Sequence, residues 1–155
     1  MEEKLNHRKA KQSDLKIIVS LLFQDELGKV REELSNEIDK RYIEAFARID
    51  ADPNQYLMVV ELEDKIVATC HLTIMPSLTF IGSTRMQIEA VRVCENYRGQ
   101  KIGEWMIEQA ISYGKSRGAS IFQLTSNKKR NQSIKFYEKL GFEPTHEGLK
   151  LYISE

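Results

Sequence analysis

The stretch from residue 85 to residue 103 places a β-rich run, 85–94, just ahead of the turn Tyr97-Arg98-Gly99-Gln100-Lys101-Ile102-Gly103 and a helix-forming segment. A strand that delivers a glycine-bearing turn to a helix N-terminus makes an anion site, because the first free N–H groups of the helix and the turn backbone can converge on one phosphate. Gly99 and Gly103 let the backbone approach a ligand, Arg98 and Lys101 add positive charge, and Glu104 stands at the start of the helix. A tight βα turn also needs glycine for its own geometry, so this pattern alone leaves ligand binding and plain turn formation both open. Along the preceding run, strict alternation puts Gln87, Glu89, Val91 and Val93 on one strand face and Met86, Ile88, Ala90 and Arg92 on the other. Glu89 is thereby presented beside valines.

The elements around this stretch follow from hydrophobic period. Residues 4–10 read as a short edge strand, and Ser13-Asp14 offers an N-cap to a helix whose stripe is Leu15, Ile18, Val19, Leu22 and Phe23. A second helix is expected over about 35–50, with Ile38, Tyr42, Ala45, Phe46 and Ile49 buried. The runs 56–62 and 66–75, joined by Glu63-Asp64-Lys65, predict an antiparallel hairpin, and 77–84 a loop or strand extension. Beyond the turn come a helix over 103–117 closed by Gly118, a strand at 120–126, a helix over 131–140 ended by Gly141, and a terminal strand or hairpin through Leu151-Tyr152-Ile153. The expected class is α/β (α+β): a mostly antiparallel mixed sheet flanked by helices, with one right-handed β-α-β crossover. No repeat, linker or low-complexity tract divides the chain, so residues 1–155 are expected to form a single domain.

Composition narrows the function. The 155 residues carry 23 basic and 23 acidic side chains, for zero formal charge, which argues against a nucleic-acid binder working through phosphate neutralisation. The zero hides a split: the first 96 residues hold 13 basic and 17 acidic groups and the remainder 10 and 6, or net −4 against net +4. Chance scatter and two complementary fields, one for an anion and one for a cation, both produce such a split. Cys70 and Cys94 lie in apolar runs without a CxxC spacing and read as buried thiols of a reduced, cytoplasmic protein. His7, His71 and His146 stand at no ligand spacing, so no metal is expected. No signal peptide and no membrane-spanning run is legible.

Two segments carry a resemblance. Arg98-Gly99-Gln100-Lys101-Ile102-Gly103 resembles the Q/R-x-x-G-x-G/A coenzyme A pyrophosphate loop of the GCN5-related N-acetyltransferase (GNAT) superfamily. Asn131-Gln132-Ser133-Ile134-Lys135-Phe136-Tyr137-Glu138-Lys139-Leu140-Gly141-Phe142 is similar to its N-x-x-x-x-F-Y-x-K-x-G-F helix. The resemblance is specific in the C-terminal half and topological in the N-terminal half. It implies the GNAT acyl-CoA N-acyltransferase fold, acetyl-CoA as cosubstrate and a primary amine as acceptor. Lys101 occupies a position usually held by glycine, so it must adopt a conformation open to a side chain or shift the loop.

The roles implied are these. Residues 98–104 (Arg98, Gly99, Gln100, Lys101, Ile102, Gly103, Glu104) hold the coenzyme, the backbones of Val91 and Val93 pair with its pantetheine arm, and Val91 N–H donates to the thioester carbonyl. Glu89 takes the amine's proton, or is an exposed strand carboxylate, or is a partner for Arg85 or Arg92. Tyr137 protonates the leaving thiolate, or packs in the core beside Phe136. Asn131 contacts the coenzyme or caps its helix, residues 127–130 contact a phosphate or form a solvated loop, and Trp105 packs in the core or covers an adenine. The acceptor is expected to be a small-molecule amine such as an amino acid, polyamine or aminoglycoside-like compound. A protein N-terminus or lysine, and a non-catalytic acyl-CoA sensor, are the alternatives. Neither nucleic acid nor membrane is expected as a partner, and the oligomeric state stays open, a homodimer included.

Overall fold

Two β-rich runs separated by Glu63-Asp64 can close only if both turn residues take positive φ, and they do, at 50° and 65°. This two-residue connection matches the right-handed twist of the strands it joins. It links β2 (Gln55–Leu62) to β3 (Lys65–Met75) in a computed structural model that describes residues 4–24 and 37–154. Around this hairpin the chain builds one five-stranded sheet in the order β1-β2-β3-β4-β5, with β1 (Leu5–Lys9), β4 (Thr84–Val93) and β5 (Ala119–Gln123). The first four strands pair antiparallel and β4 pairs parallel with β5, joined through the helix between them. The mostly antiparallel mixed sheet is thus as expected.

Helices cover both faces because the strands alternate apolar residues to both sides. On one face α1 (Leu15–Phe23) and α2 (Lys40–Ala51) bury Leu15, Ile18, Leu21 and Phe46 against Leu57, Val59 and Ile66. On the other, α3 (Ile102–Ser116) sets Ile102, Met106, Ile107 and Ala110 on Met58, Leu72, Met86 and Ile88, and α4 (Asn131–Lys139) adds Phe136 and Tyr137. The α3–sheet contact is close enough to demand a glycine. A Cβ on Gly114 would run into the Phe122 ring and lie 2.9 Å from Met86 Sδ. Overpacking of about 1–3 kcal/mol outweighs the ~1 kcal/mol that alanine gains in a helix. Gly114→Ala is therefore expected to lower unfolding free energy by up to about 2 kcal/mol in urea titration.

Three local expectations need correction, and of the two alternatives for 77–84 the loop is the one found. The second helix starts at Lys40, with Asp39 accepting from Arg41 N at 2.8 Å as its cap. Positions 35 and 36 of the expected helix lie outside the described residues. Asp14 does not cap α1: Arg8 holds its carboxylate through contacts of 2.7 and 3.1 Å, Lys11 N adds a third bond at 2.8 Å, and its pKa falls below the usual carboxylate range, Arg8 being the main cause. Residues 77–83 form a loop with one turn at Thr79–Gly82, in which Phe80 and Ile81 are left-handed. No strand forms after α4; residues 142–154 are irregular and Leu149, Leu151, Tyr152 and Ile153 are exposed. Their alternation is strand-like, but nothing among the described residues pairs with them.

Candidate functional site

The turn after β4 has the geometry an anion site requires. A 3-10 turn at Glu95–Tyr97 leads to Gly99 at φ 79°, around which a Cβ would meet nothing within 4 Å, and Lys101 at φ 64°, ψ 18° precedes the first residue of α3. Lys101 thus takes the left-handed conformation that glycine favours and keeps the loop shape while presenting an exposed ammonium group. Its carbonyl accepts from Trp105 N at 3.1 Å, and no side chain caps this end of α3. The first N–H groups of α3 therefore have no side-chain cap, and Arg98, Gln100 and Lys101 just before them are exposed. Arg98 Nε donates to Val93 O at 3.3 Å, tying the turn to the strand. A Cβ on Gly103 would come within 3.5 Å of Val93 and Phe136, and Ile102 is buried.

A left-handed conformation costs a lysine about 1–2 kcal/mol. Lys101→Gly is expected to leave the melting temperature unchanged or raised while weakening acetyl-CoA binding several-fold, measured by calorimetry. Equal or tighter coenzyme binding would remove Lys101 from the anion site.

β4 does not alternate strictly, and this is the main departure from the sequence reading. His71 pairs with Glu89 and Thr69 with Arg92, so Ala90 and Val91 together oppose Cys70. This is a β-bulge with Ala90 at φ 53°. One extra residue reverses the faces beyond it. Val91 and Val93 turn to the α3 side, where they pack on the Met58–Ile88 core, while Glu89 stays on the α2 side. Glu89 and the two valines do not share a face. Just before the bulge β4 also loses its neighbour: the ladder with β5 ends at Gln87 and Gln123, although β4 runs on to Val93.

Tyr137 lies on the α3 side of this gap. Its ring packs edge-on against Phe136 and Phe142, with centroids 5.1 and 5.8 Å away. Burial pushes its pKa up to about 12; Cys70 adds to the rise, and Arg92 and Arg130 oppose it. Its hydroxyl has no hydrogen-bond partner among the described residues. Core packing and an available phenol thus coexist in one side chain. Asn131 is the first residue of α4 and exposed; Arg130 holds the cap position, so Asn131 is not the N-cap. Lys128 pairs with Glu147 at 3.3 Å on the surface. Trp105 packs on the core with its edge toward His7 at 6.1 Å. Cys70 is fully buried, with its thiol pKa raised to about 12 by burial, whereas Cys94 is only half-buried. Among the described residues no group of three His, Cys, Asp or Glu side chains could hold a metal ion, and no helix is long and apolar enough to cross a membrane.

On the α2 side Glu89 faces a cleft of about 470 Å³ that also holds Arg48, Asp52, Gln55, His71 and Thr73. Glu89 makes no ion pair with Arg85 or Arg92 among the described residues; Arg85 reaches Gln123 and Thr79, and Arg92 donates to Val91 O. Gln55 Nε2 donates to Asp52 Oδ2 at 3.4 Å, which orients the amide so that its Oε1 accepts from Thr73 Oγ1 at 2.9 Å and from His71 Nε2 at 2.6 Å. This network assigns the His71 proton to Nε2 and leaves the Nδ1 lone pair available. Burial lowers the His71 pKa, and the nearby Glu89 charge partly offsets that fall. The imidazole is therefore neutral at pH 7. His71 was missed because single-residue spacing carries no sign of it; the hairpin register that sets it opposite Glu89 was the available signal.

Comparison with known proteins gives one family. Residues 20–142 match the model of the acetyltransferase (GNAT) family. The chain is similar to an aminoalkylphosphonate N-acetyltransferase of Salmonella typhimurium, 29% identical over 117 residues and 73% of each chain. It is similar to a glucosamine 6-phosphate N-acetyltransferase of Trypanosoma brucei brucei, 34% identical over 87 residues, 56% of this chain and 57% of that one. A crystal structure described as a transcriptional regulator from Bacillus halodurans superposes with a TM-score of 0.93 at 39% identity, over 96% of this chain and 99% of that chain.

Proposed function

Because this chain belongs to the acetyltransferase (GNAT) family and is an N-acetyltransferase, we propose that it moves the acetyl group of acetyl-CoA to the primary amine of a small molecule. The observation that carries this reading is the bulge at Ala90, which opens one strand to two sites. The coenzyme site lies on the α3 side, with the pyrophosphate at the turn 98–104 and the pantetheine arm along Val91 and Val93. The acceptor site is the cleft on the α2 side. The thioester carbon reaches the unpaired stretch of β4 between them.

In the proposed reaction the amine nitrogen attacks the thioester carbonyl and the carbonyl oxygen becomes an oxyanion, to which Val91 N–H donates. Collapse breaks the C–S bond, and the thiolate takes its proton from Tyr137. Glu89 accepts the proton the amine loses, directly or through a water molecule, with His71 Nδ1 beside it as a second acceptor. A neutral amine is needed because a group with pKa near ~10 is only about one part in a thousand unprotonated at pH 7. Asn131, exposed at the start of α4, is a contact for the coenzyme.

The cleft bears on the acceptor. Asp52 and Glu89 suit an ammonium group, and Arg48, which has no partner among the described residues, suits an acidic group on the same small molecule. Two N-acetyltransferases to which this chain is similar are named for amines bearing phosphonate or phosphate. Thiol release from acetyl-CoA tests the reading. Amines bearing phosphonate, phosphate or carboxylate are expected to stimulate it more than polyamines or peptides, and Arg48→Ala is expected to erase that preference. If no amine stimulates release while acetyl-CoA still raises the melting temperature, the chain is an acyl-CoA-responsive binding module, a role compatible with the regulator it superposes on.

A further inference from the structure

We propose that Gln55 is a positioning residue for proton removal: it holds the His71 proton on Nε2, and so keeps the imidazole from donating to Glu89 and occupying the carboxylate that takes the amine's proton. The inference rests on the reading of Glu89 as that acceptor. The juxtaposition follows from register. Gln55 of β2 stands opposite Thr73 of β3, and His71, two residues earlier on the same face of β3, stands opposite Glu89 of β4. With β3 as the middle strand, the imidazole has an amide on one side and a carboxylate on the other. In its neutral form it has one proton to give.

Left to itself, that proton belongs on the Glu89 side. A hydrogen bond to a carboxylate is roughly twice as strong as one to a neutral acceptor, and an imidazole donating Nδ1–H to Glu89 would stabilise the carboxylate and lower its basicity. The other arrangement is found. Among the described residues no hydrogen bond joins His71 to Glu89, whereas His71 Nε2 lies 2.6 Å from Gln55 Oε1. A carbonyl oxygen can only accept, so Nε2 carries the hydrogen and Nδ1 keeps its lone pair.

The orientation of one amide therefore sets the tautomer, and two neighbours fix that orientation. Thr73 Oγ1 donates to the same Oε1 at 2.9 Å, and Gln55 Nε2 faces Asp52 Oδ2 at 3.4 Å. Asp52 is itself held, its Oδ1 accepting from Asn54 N at 2.9 Å. A reversed amide would set its oxygen against the Asp52 carboxylate and donate to Nε2, which would send the His71 proton to Nδ1 and so to Glu89. Burial lowers the His71 pKa and keeps the ring neutral among the charged groups of the cleft, Arg48, Asp52 and Glu89. Gln55 thus acts on the carboxylate through the imidazole, without touching the amine.

Proton–nitrogen correlation NMR of the free protein at neutral pH reads the tautomer directly. His71 is expected to show a protonated Nε2 and a lone-pair Nδ1 in the wild type, and Gln55→Met, which keeps the length of the side chain and removes the amide, is expected to move the proton toward Nδ1. In the same variant kcat for thiol release is expected to fall about ten-fold, the equivalent of one mis-made hydrogen bond, with the acetyl-CoA-induced rise in melting temperature retained. Once His71→Asn is present, Gln55→Met is expected to cost nothing further, because the residue through which it acts is gone. A merely structural glutamine would lower turnover in both backgrounds. A wild-type His71 protonated on Nδ1, an unchanged tautomer in Gln55→Met, or full additivity of the two changes overturns the proposal. The wild-type spectrum decides even if Gln55→Met fails to fold, and it is independent of the amine panel: turnover together with a protonated Nδ1 sinks the role of Gln55 alone, whereas absence of turnover with every amine sinks the enzymatic reading and this role with it.

Discussion

Tyr137→Phe lowers turnover by about 10²–10⁴-fold, the usual span of a lost general acid, while acetyl-CoA affinity and melting temperature stay close to wild type. The stability half of this expectation follows from packing. The Tyr137 ring sits edge-on between Phe136 and Phe142, which phenylalanine preserves, and among the described residues its hydroxyl has no partner that its loss would leave stranded. The catalytic half follows from the leaving group. A thiolate expelled into a desolvated gap is a poor leaving group unless it is protonated as the C–S bond breaks.

A phenol pKa near 12 in the free protein looks high beside an ordinary thiol near ~8.5. The same burial penalises both anions, however, so a thiolate bound at this point is raised with the phenol and the gap narrows. The sign also fixes the pH behaviour. A raised pKa keeps Tyr137 protonated through and beyond its ordinary titration range, so no alkaline loss of kcat below about pH 10 arises from this residue. Wild-type turnover in Tyr137→Phe would leave Tyr137 as a core aromatic and nothing more.

Glu89→Gln is expected to lower kcat/KM at neutral pH by about 10²-fold and to recover part of that loss as pH rises toward the amine pKa, where the acceptor deprotonates without help. A second effect follows at His71. The Glu89 charge is what holds the imidazole pKa up against burial; without it the pKa falls further, and any acid limb set by His71 moves to lower pH. His71→Asn separates the two groups. If Glu89 is the base, this change alters KM more than kcat, because it removes part of the cleft while leaving the carboxylate. If His71→Asn abolishes turnover and Glu89→Gln leaves it intact, the proton acceptor is the imidazole, and Glu89 serves only to tune it.

A single geometric event underlies both expectations. In a regular strand Glu89 would share a face with Val91 and Val93, and the carboxylate would lie alongside the coenzyme arm. With the bulge, the carboxylate and the valines face opposite helical layers, so that in the proposed reaction acceptor and coenzyme approach β4 from different sides. Removing the extra residue would slip the register by one and turn either Glu89 or the valines away from their present sites.

What the sequence determined by itself is whatever short-range chemistry specifies. The apolar stripes of α3 and α4 differ sharply from the two-residue period of β2 and β3, so these elements were legible within a residue or two. The glycine-bearing turn and the aromatic pair Phe136-Tyr137 were legible because their residue types are needed locally, wherever the rest of the chain goes. The left-handed Lys101 was half legible: its position demanded an unusual conformation or a displaced loop, and only the coordinates chose between them.

Tertiary structure decided everything that depends on a partner distant in sequence. Arg8 reaches across from β1 to claim Asp14, which locally reads as a helix cap. The bulge at Ala90 exists only in relation to Cys70 on the neighbouring strand. His71 becomes a site residue because antiparallel pairing brings Glu89 opposite it and β2 brings Gln55 beneath it. The tail reads as a strand, yet pairs with nothing among the described residues, because alternation alone does not supply the neighbouring edge a strand needs. Period and turn chemistry are encoded residue by residue, whereas register, face and pairing come from long-range hydrogen bonding and packing, and in this protein those decide which helical layer Glu89, Val91 and Val93 each face.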